Sequence, residues 1–457
     1  MRGTKTQRGR WGVSCCLAVA IAGGGGRVWA EERVPGGKMT LDEAWAGLMG
    51  VEPEVARGVL RLAEDPAESV PFLGARLQPL TIEASEVRAL IKDLGSEDDG
   101  TWHAAYEKLT YFDPRLAIDL PTLMDEVTDQ PARNRLVALL SGQELSGMKG
   151  EPYEGQEVVL RTLKGDEGGY NFYSNRMSWW AESKVSRLKG SQKRRWMQAG
   201  DAILILEQVG TPEAVGVLQE MATGHPEAEP TKLAKEALER MAAAATQPSA
   251  AVEMEKWWGD LWKAPPVAIP ALLKMSRVPE KSVAFLKGEM HPLTISADDV
   301  RALTKDLGSE DEAVWKPAFE KLSYYDPRLA VPLSQIFLET YEPLARERLV
   351  EVLMDVPEGT MKGKPGELRQ TETSPPYYNY SSREFGSWGV EPSVAVLNTR
   401  RWGGDKHLWT RAERAEVLLG WIGTPEAVGI LKEMAGGHAE AMPTKVAVEE
   451  LKRVGSR

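Results

Sequence analysis

Histidine is the side chain best suited to proton transfer near neutral pH, and it occurs at five positions, His103, His225, His291, His407 and His438. Only His225 and His438 fall at matching places in the two halves of the chain, each just before a short Pro-Glu or Ala-Glu stretch that reads as a turn between helices. Neither belongs to an H-E-x-x-H zinc pair, and a histidine so placed is expected to help satisfy terminal helix carbonyls. The acids Asp93, Glu97 and Asp98, with their counterparts Asp306, Glu310 and Asp311, invite a reading as carboxylate pairs for general acid–base work. Their place at one helix end and the next helix start explains them without catalysis, because acids in a first turn favour the positive pole of the helix. No G-x-S-x-G elbow, glycine-rich phosphate loop or calcium loop occurs in the sequence. The chain is therefore expected not to be an enzyme, and no cofactor or catalytic metal is expected.

The other residues with recognition chemistry are aromatic. In two stretches, 141–197 and 354–410, the helical pattern fails and rings accumulate. The candidate contact residues are Tyr170, Tyr173, Trp179, Trp180 and Trp196 in the first, and Tyr377, Tyr378, Tyr380, Trp388, Trp402 and Trp409 in the second. Amphipathic rings anchor protein interfaces and stack on ligands. They also serve to hold an insert against its scaffold, and from the residues alone both roles stay open. Runs 157–163 and 393–398 have strand character and the segment Gly165 to Gly169 offers a hairpin turn, so each insert is expected to be irregular or to hold a small β element. Elsewhere Trp45 matches Trp258 and Trp102 matches Trp315, which is the pattern of core residues repeated at one stacking position.

What positions these groups is a duplication. The phrase Val87-Arg-Ala-Leu-Ile-Lys-Asp-Leu-Gly-Ser-Glu-Asp98 returns as Val300-Arg-Ala-Leu-Thr-Lys-Asp-Leu-Gly-Ser-Glu-Asp311, a displacement of 213 residues. The same displacement carries Asp113-Pro114-Arg115-Leu116-Ala117 onto 326–330 and Gly210-Thr211-Pro212-Glu213-Ala214 onto 423–427. The units are placed at 39–243, with insert 141–197, and at 253–456, with insert 354–410, joined by the alanine-rich linker 244–252. Within a unit, apolar residues recur at helical spacing, as in Val87, Leu90, Ile91 and Leu94 or Ala202, Ile203, Leu206 and Val209. Gly95 stands where a helix end wants positive φ, Ser96, Glu97 and Asp98 offer a cap and first-turn acids to the next helix, and Thr211-Pro212 stands where another begins.

The Asp-Leu-Gly-Ser-Glu-Asp phrase, and above all Ile/Val-Gly-Thr-Pro-Glu-Ala followed by Leu-x-x-Met-Ala, resembles the HEAT-like helical repeat region of bacterial, planctomycete-type proteins. The resemblance covers about 41–140 and 198–241, and again 254–353 and 411–454. It implies a mostly α chain of two tandem α-solenoid-like domains that act as binding scaffolds. The chain departs from that pattern in lacking a WD40 propeller segment and in carrying the inserts.

The ends and the composition bound the partner. Lys5, Arg8 and Arg10 precede an apolar run at 13–22, and Val28-Trp29-Ala30 has the form of a processing site, so residues 1–30 are read as a signal peptide cleaved near Ala30. The run is far short of the roughly 20 residues that span a bilayer. Export to the periplasm or outside is the expected outcome. Cys15 and Cys16 both lie in that leader, so 31–457 has no thiol chemistry and no disulfide. The formal charge is −11, and residues 1–30 hold five basic groups and no acid, which leaves about −16 after processing. Such a balance opposes nucleic acid and anionic lipid. The expected function is a non-catalytic extracytoplasmic scaffold binding a protein. Glycan or cell-envelope polymer binding through the insert rings is the alternative, and an enzyme of unrecognised type a third.

Overall fold

The computed structural model describes residues 39–140, 194–245, 253–353, 355 and 406–455. Unit 1 comprises α1 (Leu41–Gly47), α2 (Glu54–Glu64), α3 (Pro66–Gly74), α4 (Ala84–Leu94), α5 (Asp99–Phe112), α6 (Leu120–Glu126), α7 (Gln130–Leu140), α8 (Arg194–Val209), α9 (Pro212–Met221) and α10 (Glu229–Ala245). Unit 2 repeats the order with α11 (Met254–Asp260), α12 (Pro265–Ser276), α13 (Pro279–Glu289), α14 (Ala297–Asp306), α15 (Glu312–Tyr325), α16 (Leu333–Glu339), α17 (Pro343–Leu353), α18 (His407–Ile422), α19 (Pro425–Met434) and α20 (Met442–Gly455). A three-residue 3₁₀ turn follows α5 and α15, at Pro114–Leu116 and Pro327–Leu329.

The helix starts are made by side chains that accept otherwise unpaired amide donors. Asp98 accepts from the Thr101 N–H at 2.8 Å, and Asp311 from the Ala313 N–H at 3.0 Å. Thr211 and Thr424 cap α9 and α19, each with proline in the first turn. Asp113 and Asp326 take φ of 53° and 56°, and their carboxylates accept from the backbone N–H two residues on, which turns the chain sharply out of α5 and α15.

Gly95 has a different role from the expected one. Its φ is −78°, an ordinary helical value, and among the described residues the glycines with positive φ are Gly210 and Gly423, which end α8 and α18. Gly95 is small because a Cβ there would lie 2.5 Å from Asp129 Oδ2, the oxygen that accepts from the Ala132 N–H at the start of α7. Gly308 leaves the same room for Glu342. We expect Gly95→Ala to displace that cap and lower stability by about 0.5–2 kcal/mol. Gly216→Ala, at an open position inside α9, should raise it by about 0.5–1 kcal/mol. Urea unfolding of both variants checks the pair, and a neutral Gly95→Ala would rule out the packing account.

The helices pack in the repeat-like manner of a generic helical-repeat fold. In each unit four helices enclose a separate small core, α4–α7 in one and α14–α17 in the other, forming an arm. The remaining helices, α1–α3 and α8–α10 with α11–α13 and α18–α20, share one continuous apolar core across both units. At the seam α2 packs on α12, α2 also on α18, and α12 on α8. Because α12 and α18 are the counterparts of α2 and α8, this pairing is isologous. The two copies meet as subunits of a two-fold dimer do, rather than as successive turns of one superhelix.

The expectation of a small β element is corrected. The chain is mostly α, and every regular element among the described residues is helical. The backbone of these residues is engaged mainly in helical hydrogen bonds and caps, the pairing that a ribbon would have to replace. The runs 157–163 and 393–398 themselves lie outside the described residues. The boundary tract is helical at first, since α10 continues to Ala245, as a run of alanines permits. No helix among the described residues is long and apolar enough to cross a membrane.

Candidate functional site

Nine of the eleven aromatic candidates, Tyr170, Tyr173, Trp179, Trp180, Tyr377, Tyr378, Tyr380, Trp388 and Trp402, lie outside the described residues. The other two, Trp196 and Trp409, are packed inside, 9% and 0% exposed. Their place explains why. The last four carbonyls of a helix have no partner within it, and Trp196 Nε1–H donates to the Tyr111 carbonyl at the end of α5, at 2.5 Å. Trp409 Nε1–H donates to the Tyr324 carbonyl at the end of α15, at 2.6 Å. Each indole therefore nails the start of α8 or α18 to the end of an arm helix where the chain returns from its insert. Trp45 and Trp315 are half-buried and Trp102 and Trp258 buried, all four against the cores assigned to them from sequence.

The second root is charged. Lys406 Nζ donates to the Ser323 carbonyl at 3.0 Å and lies 3.1 Å from Asp326 Oδ2, which also pairs with Arg328. Burial alone would raise the Asp326 carboxyl, but Lys406 and Arg328 outweigh it and hold the group down at about 2. Asp355, where the chain leaves, accepts from both the backbone N–H and the Nδ1 of His407, where it returns, each at 2.8 Å. The root of insert 354–410 is thus clasped shut.

The matched histidines do something other than expected. The backbone N–H of His225 donates to the Leu80 carbonyl and that of His438 to Leu293, at 2.9 and 2.8 Å. The rings point the other way in function, since each Nδ1 accepts the amide N–H two residues on, from Glu227 and Glu440. This bond uses the Nδ1 lone pair of each ring as an acceptor. Beside His438 an open cleft of about 520 Å³ is walled by Leu293–Ser296, Asp299, Leu329 and the glycines 436 and 437. Its polar side chains already cap helices: Ser296 and Asp299 form the capping box of α14. Asp93, Glu97, Asp306 and Glu310 show no convergence on these groups, and Asp98 and Asp311 act as helix caps. Among the described residues no three His, Asp or Glu side chains form a group that could hold a metal ion.

Sequence reasoning missed the most concentrated cluster of charges among the described residues, which lies in the seam. Arg57 of α2 pairs with Glu450 of α20 at 2.7 Å and with Glu449 at 3.0 Å. Arg414 of α18 pairs with Glu52, just before α2, at 2.6 Å. Asp201 of α8 and Glu413 and Glu416 of α18 are buried in the same region. Burial, with Glu52 nearby, lifts Asp201 to about 7 against the pull of Arg414. Burial, with Glu52 and Glu54, lifts Glu413 to about 8. Burial, then Glu413 and Glu450, pushes Glu416 far above the usual carboxylate range. Glu450 is also raised, because burial outweighs its ion pair with Arg57.

No protein-family model matches this chain. No curated protein matches it either. The charge distribution in the seam has a signature in the sequence nonetheless. The unit 1 counterparts of Glu413, Glu416 and Glu450 are Gly200, Ile203 and Ala237, and the unit 2 counterpart of Arg57 is Pro270. An acid replacing Ile203 in an otherwise repeated apolar stripe marks a buried carboxyl.

Proposed function

We propose that the protein is a non-catalytic extracytoplasmic scaffold that offers two equivalent surfaces to a protein partner. The observation that supports this reading is the isologous seam. One core joins the copies, so the arms and the roots of the inserts are repeated about a two-fold relation at fixed spacing. Paired sites held this way raise avidity for a two-fold or repetitive partner without any new contact. Membership of the HEAT-like bacterial group, suggested by the repeated Gly-Thr-Pro-Glu-Ala phrase, fits such a role, since those repeats serve mostly as scaffolds. The basic and apolar leader ending at Ala30 favours a periplasmic or extracellular site of action.

The test is capture of partners from the envelope fraction by residues 31–457, followed by mass measurement of the purified complex. Two equivalents of one partner, or one two-fold partner, should be bound per chain. Changing Trp179 and Trp180 to alanine should remove one equivalent, and adding Trp388→Ala and Trp402→Ala should remove the other. A partner held equally well by the fourfold variant would count against the inserts as contacts. Retention of polysaccharide with no protein enriched would replace this reading with the glycan one.

A further inference from the structure

The seam holds two carboxyl groups that the scaffold role does not use. Glu413 and Glu416 stand three residues apart on α18, both 0% exposed, and none of their four carboxyl oxygens has a hydrogen-bond partner. An ionised carboxylate in such a place lacks the donors or cations it needs. Of the nearby cations, Arg57 is engaged by Glu450, Glu449 and Glu54, and Arg414 by Glu52 and by the carbonyls of Leu261 and Lys263, while Arg411 lies over the Trp258 ring and makes no hydrogen bond to either carboxyl. We propose that the seam is a proton-operated latch, closed while Glu413 and Glu416 carry protons and loosened when they lose them.

The groups that face this pair have a clear sign. Before and on α2 stand Glu52, Glu54 and Arg57; on α8, Asp201; on α20, Glu449, Glu450 and Arg453; on α18 itself, Arg411 and Arg414. The phenol of Tyr324 on α15 feels Glu416, and Arg411 beside it feels Glu289 of α13. From α12 and α19 the seam receives core residues such as Ile269, Leu272, Ile430 and Leu431. Acids outnumber bases among these groups, so the second proton leaves against repulsion from the first and from Glu450. Opening the seam to water is the relief available.

The direction follows from linkage. Both groups are raised in the folded chain, so their protonated form is fully compatible with the closed seam below the ordinary carboxylate range. Closure then weakens as pH rises towards and past about 8, the value for Glu413. Each excess proton held by the closed form changes the closing equilibrium about tenfold per pH unit, so two change it about a hundredfold. The latch is independent of what the scaffold binds.

The experiment uses the full chain with Cys15 and Cys16 changed to serine and labels introduced by Lys92→Cys and Lys305→Cys, two exposed positions on the two arms. Spin–spin distances between the labels are measured from pH 5 to pH 10. A single distribution in acid should broaden and lengthen above about pH 8, and the change should vanish in Glu413→Gln/Glu416→Gln, whose amides cannot ionise. The same distance profile in both proteins would overturn the latch. Because the double variant introduces two buried amides, infrared spectroscopy of the unaltered chain provides an independent check. A protonated-carboxyl band should persist at pH 7, and its absence would also overturn the proposal.

Discussion

Trp409→Ala should lower the unfolding free energy by about 3–5 kcal/mol, the range for deleting a large buried ring. The ring is 0% exposed and packs with Leu293 and Ala441, where arm, insert root and central body meet. Its Nε1–H also satisfies the Tyr324 carbonyl, one of the orphans that end α15. Trp409→Phe keeps much of the packing but strands that carbonyl, and should cost about 1–3 kcal/mol. Trp196→Ala should act in the same direction through the Tyr111 carbonyl. Urea unfolding followed by circular dichroism gives all three numbers. A loss below about 1 kcal/mol for Trp409→Ala would mean that the ring is free to serve as a contact surface, and the root assignment would be lost.

Arg57→Ala should cost about 3–5 kcal/mol near neutral pH, because it takes from the buried Glu450 its hydrogen-bonded cation and leaves only Arg453, 3.7 Å away. The cost should shrink in acid. Glu450 is already raised by burial, and removing Arg57 raises it further, so this group's stability is intact below the ordinary carboxylate value and is lost as pH climbs through the folded value. Replacing both partners together, as Arg57→Met with Glu450→Met, should recover most of the loss, since a packed apolar pair needs no charge balance. Denaturant midpoints at pH 4 and pH 8 decide the matter. A penalty of equal size at both would show that Arg57 acts by packing and not by holding the Glu450 charge.

Local features of this fold are legible in the sequence because they depend on neighbours a few residues apart. Asp98 and Thr211 cap the helices they precede, and the apolar stripe of α4 is buried through Val87, Ile91 and Leu94. Gly95 was legible as a special position but not in its reason. Its helical φ hides a contact with Asp129, whose approach depends on how α7 lies across α4, and no spacing rule encodes that. His225 shows the same limit, since its ring accepts an amide where a terminal carbonyl was the expected partner. Trp196 and Trp409 counted as insert residues until the structure tied them to carbonyls 85 residues earlier in the chain. The seam was the least legible. Only a comparison of the copies, with Ile203 set against Glu416, points to it, and the pairing of α2 with α12 joins segments from different copies.

The asymmetry of that seam amounts to a code for heterotypic assembly. Two copies of unit 2 facing each other would bring Pro270 to the place of Arg57 and leave each Glu450 with only Arg453 of its own helix, 3.7 Å away. Two copies of unit 1 would bury Arg57 against Ala237. Either self-pairing weakens the balance of a buried charge, whereas the covalent neighbour supplies the complement. In a homodimer every substitution is imposed on both sides of the axis at once. Joining the copies in one chain lifted that constraint, so the repeats select each other within a molecule and discriminate against exchange between molecules.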